Sequence, residues 1–404
     1  MDKSIGIYIH VPFCKSKCYY CDFNSYSGRE YLAGPYFDAL LSEMRNSTDV
    51  LSERPVRTIF IGGGTPSLVD PKYINSLLEA CSKYFKVDPD AEISLESNPG
   101  TLTYDSLKAY RAAGVNRLSI GLQAWQDRLL ESMGRIHRRQ QFVDNLEAAY
   151  KVGFRNINVD LIFGLPEQTY DDWAETISAV TTLGAAAGLN HLSCYSLKIE
   201  EGTNFGDRYK AGTLEPADDE LDRNMYRHTI KALADKGYKH YEISNFAKPG
   251  FECKHNLVYW KALEYAGFGA GAHSYLDYKR FGNVAGIEKY IAAVKQAGTS
   301  EEDQKDTEDV QFINRQESMS EFMILGLRLI DGISEEDFED RFDESLQAVY
   351  GDKLEKLVRE GLLANEQKMD SGIGMKNENV KTSKSYKLTP LGLDFANRVF
   401  VEFI

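Results

Sequence analysis

At 404 residues, 43% apolar and 27% charged, the chain has an ordinary globular composition and room for a large catalytic domain beside a smaller one. A formal net charge of −14 lowers the odds of a nucleic-acid partner, which calls for a basic face. Six cysteines, three of them clustered, fit a reducing compartment better than a disulfide framework. No run reaches the ~20 apolar residues of a membrane span, and residues 1–4 open no charged-then-apolar leader. The expectation is a cytoplasmic protein, with peripheral membrane contact left open.

The first strand is predicted over 5–10, and Cys14, Cys18 and Cys21 follow it at Cys-x3-Cys-x2-Cys spacing. Three thiolates can hold three corners of a cubic iron–sulfur cluster and leave one iron open to a chelating small molecule. Three cysteines with His10 could instead make a structural zinc site. Three cysteines so close cannot all pair as disulfides. The stretch, with the aromatic step Tyr20-Cys21, resembles the signature of radical S-adenosylmethionine proteins.

Further strands are predicted over 58–62, 92–96, 117–121, 156–163 and 191–196, with helical patterns between them. Asp70-Pro71, Thr103 and Thr169 (with Asp172 three residues on) read as helix starts, and Gly114 as a stop. Six βα units predict a parallel sheet, either open and doubly wound or a partial barrel. Ligands of such sheets collect at the carboxyl ends of the strands. There the chain carries the cysteines, Gly62-Gly63-Gly64-Thr65, Glu96, Gln123 and Asp160, with Arg135 further on. Singly each has a structural explanation; together they favour a site.

These residues make the resemblance more specific. The first two-thirds is similar to radical S-adenosylmethionine proteins related to oxygen-independent coproporphyrinogen III dehydrogenase. That resemblance implies a partial (β/α)6 barrel. It also implies a 4Fe–4S cluster on Cys14, Cys18 and Cys21, and S-adenosylmethionine held by Tyr8, Tyr20, Gly63, Gly64, Thr65, Glu96, Gln123, Arg135 and Asp160. The dehydrogenase continues Cys-x-Cys after the third ligand, whereas this chain has Cys21-Asp22-Phe23. Phe23 is the pattern of the sister group, the HemW-type haem chaperones.

After a helix at 218–236 and a short run at 239–243 comes Cys253-Lys-His255-Asn-Leu-Val-Tyr259-Trp260. It matches the His-Asn-x-x-Tyr-Trp of the chaperone group at every fixed position. The match implies haem as a third cofactor, with His255 the preferred axial ligand, Cys253 a rival, and Tyr259 and Trp260 lying along the porphyrin. If the stretch is extended, Cys253 and His255 share a face. The residues alone would equally suit a hydrogen-bonded histidine and a core tryptophan. A glycine-rich segment at 267–274 reads as flexible, with His273 a second histidine near the cofactor or a backbone-bonded one.

Residues 301–308 read as an acid-rich linker. A helical region from about 321, a strand after Gly361, a polar wing at 368–385 and a last helix after Thr389-Pro390 suggest a winged-helix-like module. The domains expected are thus 1–245 (barrel), 246–300 (haem-motif segment and glycine-rich connector) and 301–404. The implied partners are haem-accepting proteins, respiratory enzymes among them, and an electron donor to the cluster. The rival expectation is the dehydrogenase itself; a third is radical chemistry on another small substrate.

Overall fold

The computed structural model describes residues 4–297, 307–369 and 382–404. Six strands alternate with helices: β1 (Ile5–Val11), β2 (Pro55–Gly63), β3 (Lys86–Ser97), β4 (Arg117–Gln123), β5 (Ile157–Phe163) and β6 (Leu189–Ser196). They pair in parallel in chain order, as successive βα units imply. The helix starts are as expected. Asp70 accepts from the Lys72 amide, while Thr103 with Ser106 and Thr169 with Asp172 form reciprocal capping boxes.

Alternate residues of each strand go to opposite faces. One set is aliphatic (Ile5, Ile7, Ile9; Ile59, Ile61; Leu118, Ile120; Ile157, Val159, Leu161) and joins the main core under the helices. Phe37, Leu77, Leu107, Phe142 and Trp173 of those helices belong to the same core. The other set is polar and lines the barrel: Tyr8 and His10, Thr58, Glu92, Ser94 and Glu96, Arg117 and Ser119, Asn158 and Asp160, His191 and Ser193. Hydrogen bonds knit this inner face together. Ser119 Oγ donates to Asp160 (2.8 Å), and Asn158 Nδ2 donates to Ser119 Oγ (2.7 Å) and to Asp160 (2.8 Å). His191 Nδ1 stands 2.6 Å from Asn158 Oδ1 and its Nε2 2.8 Å from the Tyr241 hydroxyl.

The sheet is open, so the barrel is partial. Beyond β6 it continues antiparallel through β7 (Lys239–Glu242) and β8 (Asn245–Ala247), in the spatial order β6-β8-β7. On the other side β9 (Tyr265–Phe268) lies parallel to β1. It is followed by antiparallel β10 (His273–Leu276), β11 (Lys279–Asn283) and β12 (Thr307–Phe312). Two expectations change here. The glycine-rich segment is built into the sheet rather than free: a Cβ on Gly267 would stand 2.2 Å from the His273 carbonyl oxygen, so glycine serves close strand approach. The stretch from Cys253 is a helix, Lys254–Trp260, so Cys253 and His255 do not share an extended face. Of the expected acid-rich linker, residues 301–306 lie outside the described residues, and Thr307 and Glu308 begin β12.

The C-terminal region has its own core, including Met323, Leu327, Phe338, Tyr350, Leu354 and Phe400. Helices Arg315–Gly326, Glu335–Phe342 and Leu346–Arg359 pack there with a three-stranded antiparallel sheet. Strands Leu363–Met369 and Thr382–Leu388 enclose most of the expected wing, of which 370–381 lie outside the described residues. Arg341 ties this region to the barrel by donating to the carbonyls of Lys261 (2.9 Å) and Ala262 (2.7 Å).

Helix Lys254–Trp260 sits against the amino-terminal halves of β1 and β2 and is held from inside. The Glu92 carboxylate accepts from the amides of Lys254 and His255 (both 3.1 Å), two donors a helix start leaves unsatisfied. The Glu92→Ala variant should therefore lose about 3 kcal/mol of stability, as removal of one partner from a buried charged network does. An unchanged midpoint in chemical denaturation would show that the helix needs no such cap.

Candidate functional site: the carboxyl-end rim of the barrel

Cys14 lies in a short strand Phe13–Cys14 that pairs with Tyr26–Ser27, so the loop carrying Cys18 and Cys21 is pinned at both ends. All three are free thiols; Cys14 is buried, and Cys18 and Cys21 are half-buried. Each has a polar neighbour: Thr65 Oγ1 at 3.5 Å from Cys14, Arg135 Nη1 at 3.4 Å from Cys18, and Ser25 Oγ at 3.9 Å from Cys21. Burial pushes the Cys14 and Cys21 thiols up, so their thiolates need a cationic partner. Among the described residues no three His, Cys, Asp or Glu side chains gather closely enough for a single metal ion. A cubane makes no such demand, because each thiolate binds a different iron. The donor set fits the cluster.

The neighbouring rim is shaped by close approaches. A Cβ on Gly64 would stand 2.7 Å from the Phe13 carbonyl oxygen and 3.0 Å from Cys14 Sγ. One on Gly62 would meet Glu96 Oε2 at 2.8 Å, and Gly63 adopts φ +115°, where side chains are strained. The Gly63 amide donates to Glu96 (3.0 Å). Arg135 donates to Asn98 Oδ1 (2.7 Å) and to the Gly121 carbonyl, and Asn98 donates to Thr65 (2.9 Å). Arg135 Nε is buried without a partner, an orphan donor of the kind a bound polar ligand satisfies. Gln123 ends β4 at φ +72°, a strained backbone in a non-glycine residue.

Tyr8 and His10 continue the site inwards. His10 Nε2 lies 2.8 Å from the Asn24 carbonyl, so it donates there, and Nδ1 accepts from the Tyr8 hydroxyl (2.9 Å). Burial lowers the imidazole, in keeping with this neutral form. Tyr20 packs against a small apolar cluster that includes Leu129, Leu130 and Phe205. The structure thus brings Cys14, Cys18, Gly63, Gly64, Thr65, Glu96, Gln123, Arg135 and Asp160 to one rim. Asn98, which links Thr65 to Arg135, escaped the sequence reading. So did His10 in its bonded role, and the inner Glu92, Arg117, Asn158 and His191. Their signal was a polar residue at every second strand position.

His255 and Cys253 lie elsewhere. Against the ring of His255 stands Gly6, four residues below His10 on β1, which is about 13 Å along a strand. The ring is 1% exposed. Its Nδ1 is 2.8 Å from Thr58 Oγ1 and its Nε2 2.9 Å from the Tyr259 hydroxyl. Phe60 stacks on it at 5.2 Å, and Tyr8 on Phe60 at 6.3 Å. Burial, then the Arg117 charge, pushes this imidazole down to about 3. Cys253 Sγ is buried 3.6 Å from Glu92, and burial pushes its thiol up to about 12. The Arg328 guanidinium covers the face of Trp260 at 4.3 Å. In this conformation, iron could reach His255 only by displacing Thr58 or Tyr259.

Burial, reinforced by Asp160, raises the Glu96 carboxyl to about 8, against the Gly63 hydrogen bond that favours its charge. A carboxyl raised on folding contributes stability that is full below its unfolded value of 4.5 and fades as pH rises through about 8. Ligand-free Glu96→Gln should therefore match the native chain near pH 4.5 and exceed its melting temperature above pH 8, on the order of 2–5 °C. Parallel melting curves across that window would refute the raised carboxyl.

Residues 8–180 match the model of the radical SAM superfamily, and 313–368 that of the HemN C-terminal domain. The heme chaperone HemW of Bacillus subtilis (strain 168) is 38% identical over 361 residues, covering 89% of this chain and 93% of its own. The heme chaperone HemW of Lactococcus lactis subsp. lactis (strain IL1403) is 33% identical over 404 residues, covering 100% and 98%. The solved coproporphyrinogen III oxidase (HemN) of Escherichia coli superposes with a TM-score of 0.81 at 23% identity, over 100% of this chain and 90% of that one, a likeness of fold. No helix among the described residues is long and apolar enough to cross a membrane. With full-length relatives at this identity and the three-cysteine rim in place, the chain belongs to the HemW family of radical S-adenosylmethionine proteins.

Proposed function

We propose that the chain is a haem chaperone: it binds haem and hands it to haem-dependent acceptors, respiratory proteins among them, on a radical S-adenosylmethionine scaffold. The observation that carries this reading is full-length similarity to relatives named as heme chaperones. Phe23, at the place where the dehydrogenase pattern has a cysteine, agrees with it.

Cys14, Cys18 and Cys21 would hold the 4Fe–4S cluster, and the rim residues S-adenosylmethionine. When bound, the cluster supplies an open iron for chelation and a one-electron donor. The chain's own work at the rim is positional. The glycine run lets a ligand approach the backbone of β2 closely. Glu96 and Asp160 offer acceptors for hydroxyl groups, and Arg135 offers a buried donor. Arg135 also fixes the far side of the cysteine loop through Cys18. Tyr8 and His10 close the rim from beneath with a fixed hydrogen-bond direction. The cleavage step of a radical enzyme is not needed for cargo binding.

Two measurements test this reading. Cys18→Ser should lose the reconstituted cluster, with iron content falling from about four per chain toward zero; unchanged iron and absorbance would remove the cluster from this loop. Reconstituted native chain should bind haem saturably and load the haem-free form of a respiratory haem protein. It should form no protoporphyrinogen from coproporphyrinogen with reductant and S-adenosylmethionine. Sustained turnover in that assay would make it the dehydrogenase instead.

A further inference from the structure

Of the seven histidines in the chain, six make a side-chain hydrogen bond: His10, His137, His191, His228, His240 and His255. His273 makes none among the described residues, and its side chain is exposed at the start of β10. An exposed imidazole with both ring nitrogens uncommitted is the form in which histidine meets a metal. The ring lies over Gly282, opposite it on β11, where a Cβ would stand 2.9 Å from Cε1.

His273 lines a cavity of about 490 Å³ formed between the loop after Cys21 and the β10–β11 hairpin. Pockets for cofactor-sized ligands have this volume. Its other walls are mixed, with aromatic Phe23 and Tyr26 beside polar Asn24, Ser25 and Asn283. Phe23 is 64% exposed, an uncovered aromatic face. Lys17 places an ammonium at the same cavity, two of its three protons directed to the carbonyls of Phe23 (3.1 Å) and Ser25 (3.3 Å). The walls are fixed to one another, since Asn24 Nδ2 donates to the Ala270 carbonyl (2.8 Å). Asp22 also lines the cavity.

We propose that this cavity, beside the cluster loop, is where the chain holds haem, with His273 as the axial ligand, Phe23 against the porphyrin and the free Lys17 proton on a propionate. The inference rests on the haem-chaperone reading above and adds the location and ligand. Binding forms one coordinate bond, from the lone pair of a His273 ring nitrogen to the iron. A weakly held water leaves, and no electron is transferred. The haem edge would lie against the loop that carries Cys21, and the cargo would be reached from solvent.

The test titrates ferric haem anaerobically into the cluster-reconstituted full chain, following the Soret band. The proteins compared are native chain, His273→Ala, Gly282→Ala and His255→Ala. His273→Ala should weaken binding about tenfold or more and shift the band, with free imidazole restoring the spectrum and iron and sulfide content unchanged. Gly282→Ala, which crowds the ring without removing it, should give a smaller change in the same direction. Saturable binding by the native chain with an identical His273→Ala titration would overturn the location and leave the chaperone reading standing. Loss confined to His255→Ala would likewise overturn it, returning the ligand to the buried motif. No saturable binding by the native chain would bring down both.

Discussion

The structure depends on a polar inner face in a sheet that is otherwise built like a buried one. Parallel strands covered by helices usually run apolar on both faces. Here only the outer face does, and the inner one carries Glu92, Glu96, Arg117, Asn158, Asp160 and His191. Each polar group left unpaired there would cost about 1–3 kcal/mol, and the strands are registered so that most of these groups find partners, Arg117 Nε being left without one. Asn158 shows the economy of this: it donates to Ser119 and Asp160 and is approached by His191 and Ser193 at its oxygen. A slip of one residue in β5 would exchange that set for Val159 and Leu161.

The same constraint explains how helix Lys254–Trp260 is held. Its first amides need acceptors, and the inner face supplies the Glu92 carboxylate and the Tyr241 hydroxyl. Tyr241 in turn reaches His191 and, through it, Asn158 and Asp160. Burial alone would lower the Arg117 guanidinium, and the neighbouring Cys253 and Glu92 more than offset it. A hydrogen-bonded path therefore runs from the helix to Asp160 at the rim. Strain collects at the other end, where the non-glycine Gln123 holds left-handed backbone and Glu96 is buried near a like charge. Such concentration of strained backbone and raised acid is the mark of a ligand site.

Much of this was legible in the sequence, for identifiable reasons. The strand runs carry aliphatic residues at every second position, and caps such as Thr103 and Thr169 act within three residues, so both are local signals. The rim follows because carboxyl ends of parallel strands share an edge. What stayed hidden was non-local. Glycines 267, 269 and 271 look like a flexible stretch, but one of them packs against the next strand and two take positive φ to turn between strands. The sequence left open whether 253–260 is extended; it is helical, with its first amides held by Glu92, 162 residues before Lys254 in the chain. Nothing local to Cys253 or His255 shows that cap. The inner network was visible as polar alternation, yet alternation alone does not say which face is lumen and which is solvent.

The placement of the histidines bears on how a carrier can work. A cargo protein must release what it binds, and release is fastest from a ligand whose exchange disturbs nothing else. His255 is bonded on both sides and stacked on Phe60, so engaging it would break its hydrogen bond to Thr58 or to Tyr259 in a closely packed interior. Its neighbourhood has the character of a structural seal at the amino-terminal end of the barrel. The hairpin bearing His273 is fixed in backbone while its imidazole is uncommitted, which separates the rigidity of the site from the mobility of its occupant. On these grounds a buried His-Asn-x-x-Tyr-Trp segment and an exposed binding cavity divide two tasks between them. The first holds the barrel floor through Thr58, Glu92 and Tyr241, and the second, on the proposal above, would present cargo beside the cluster loop without unfolding that floor.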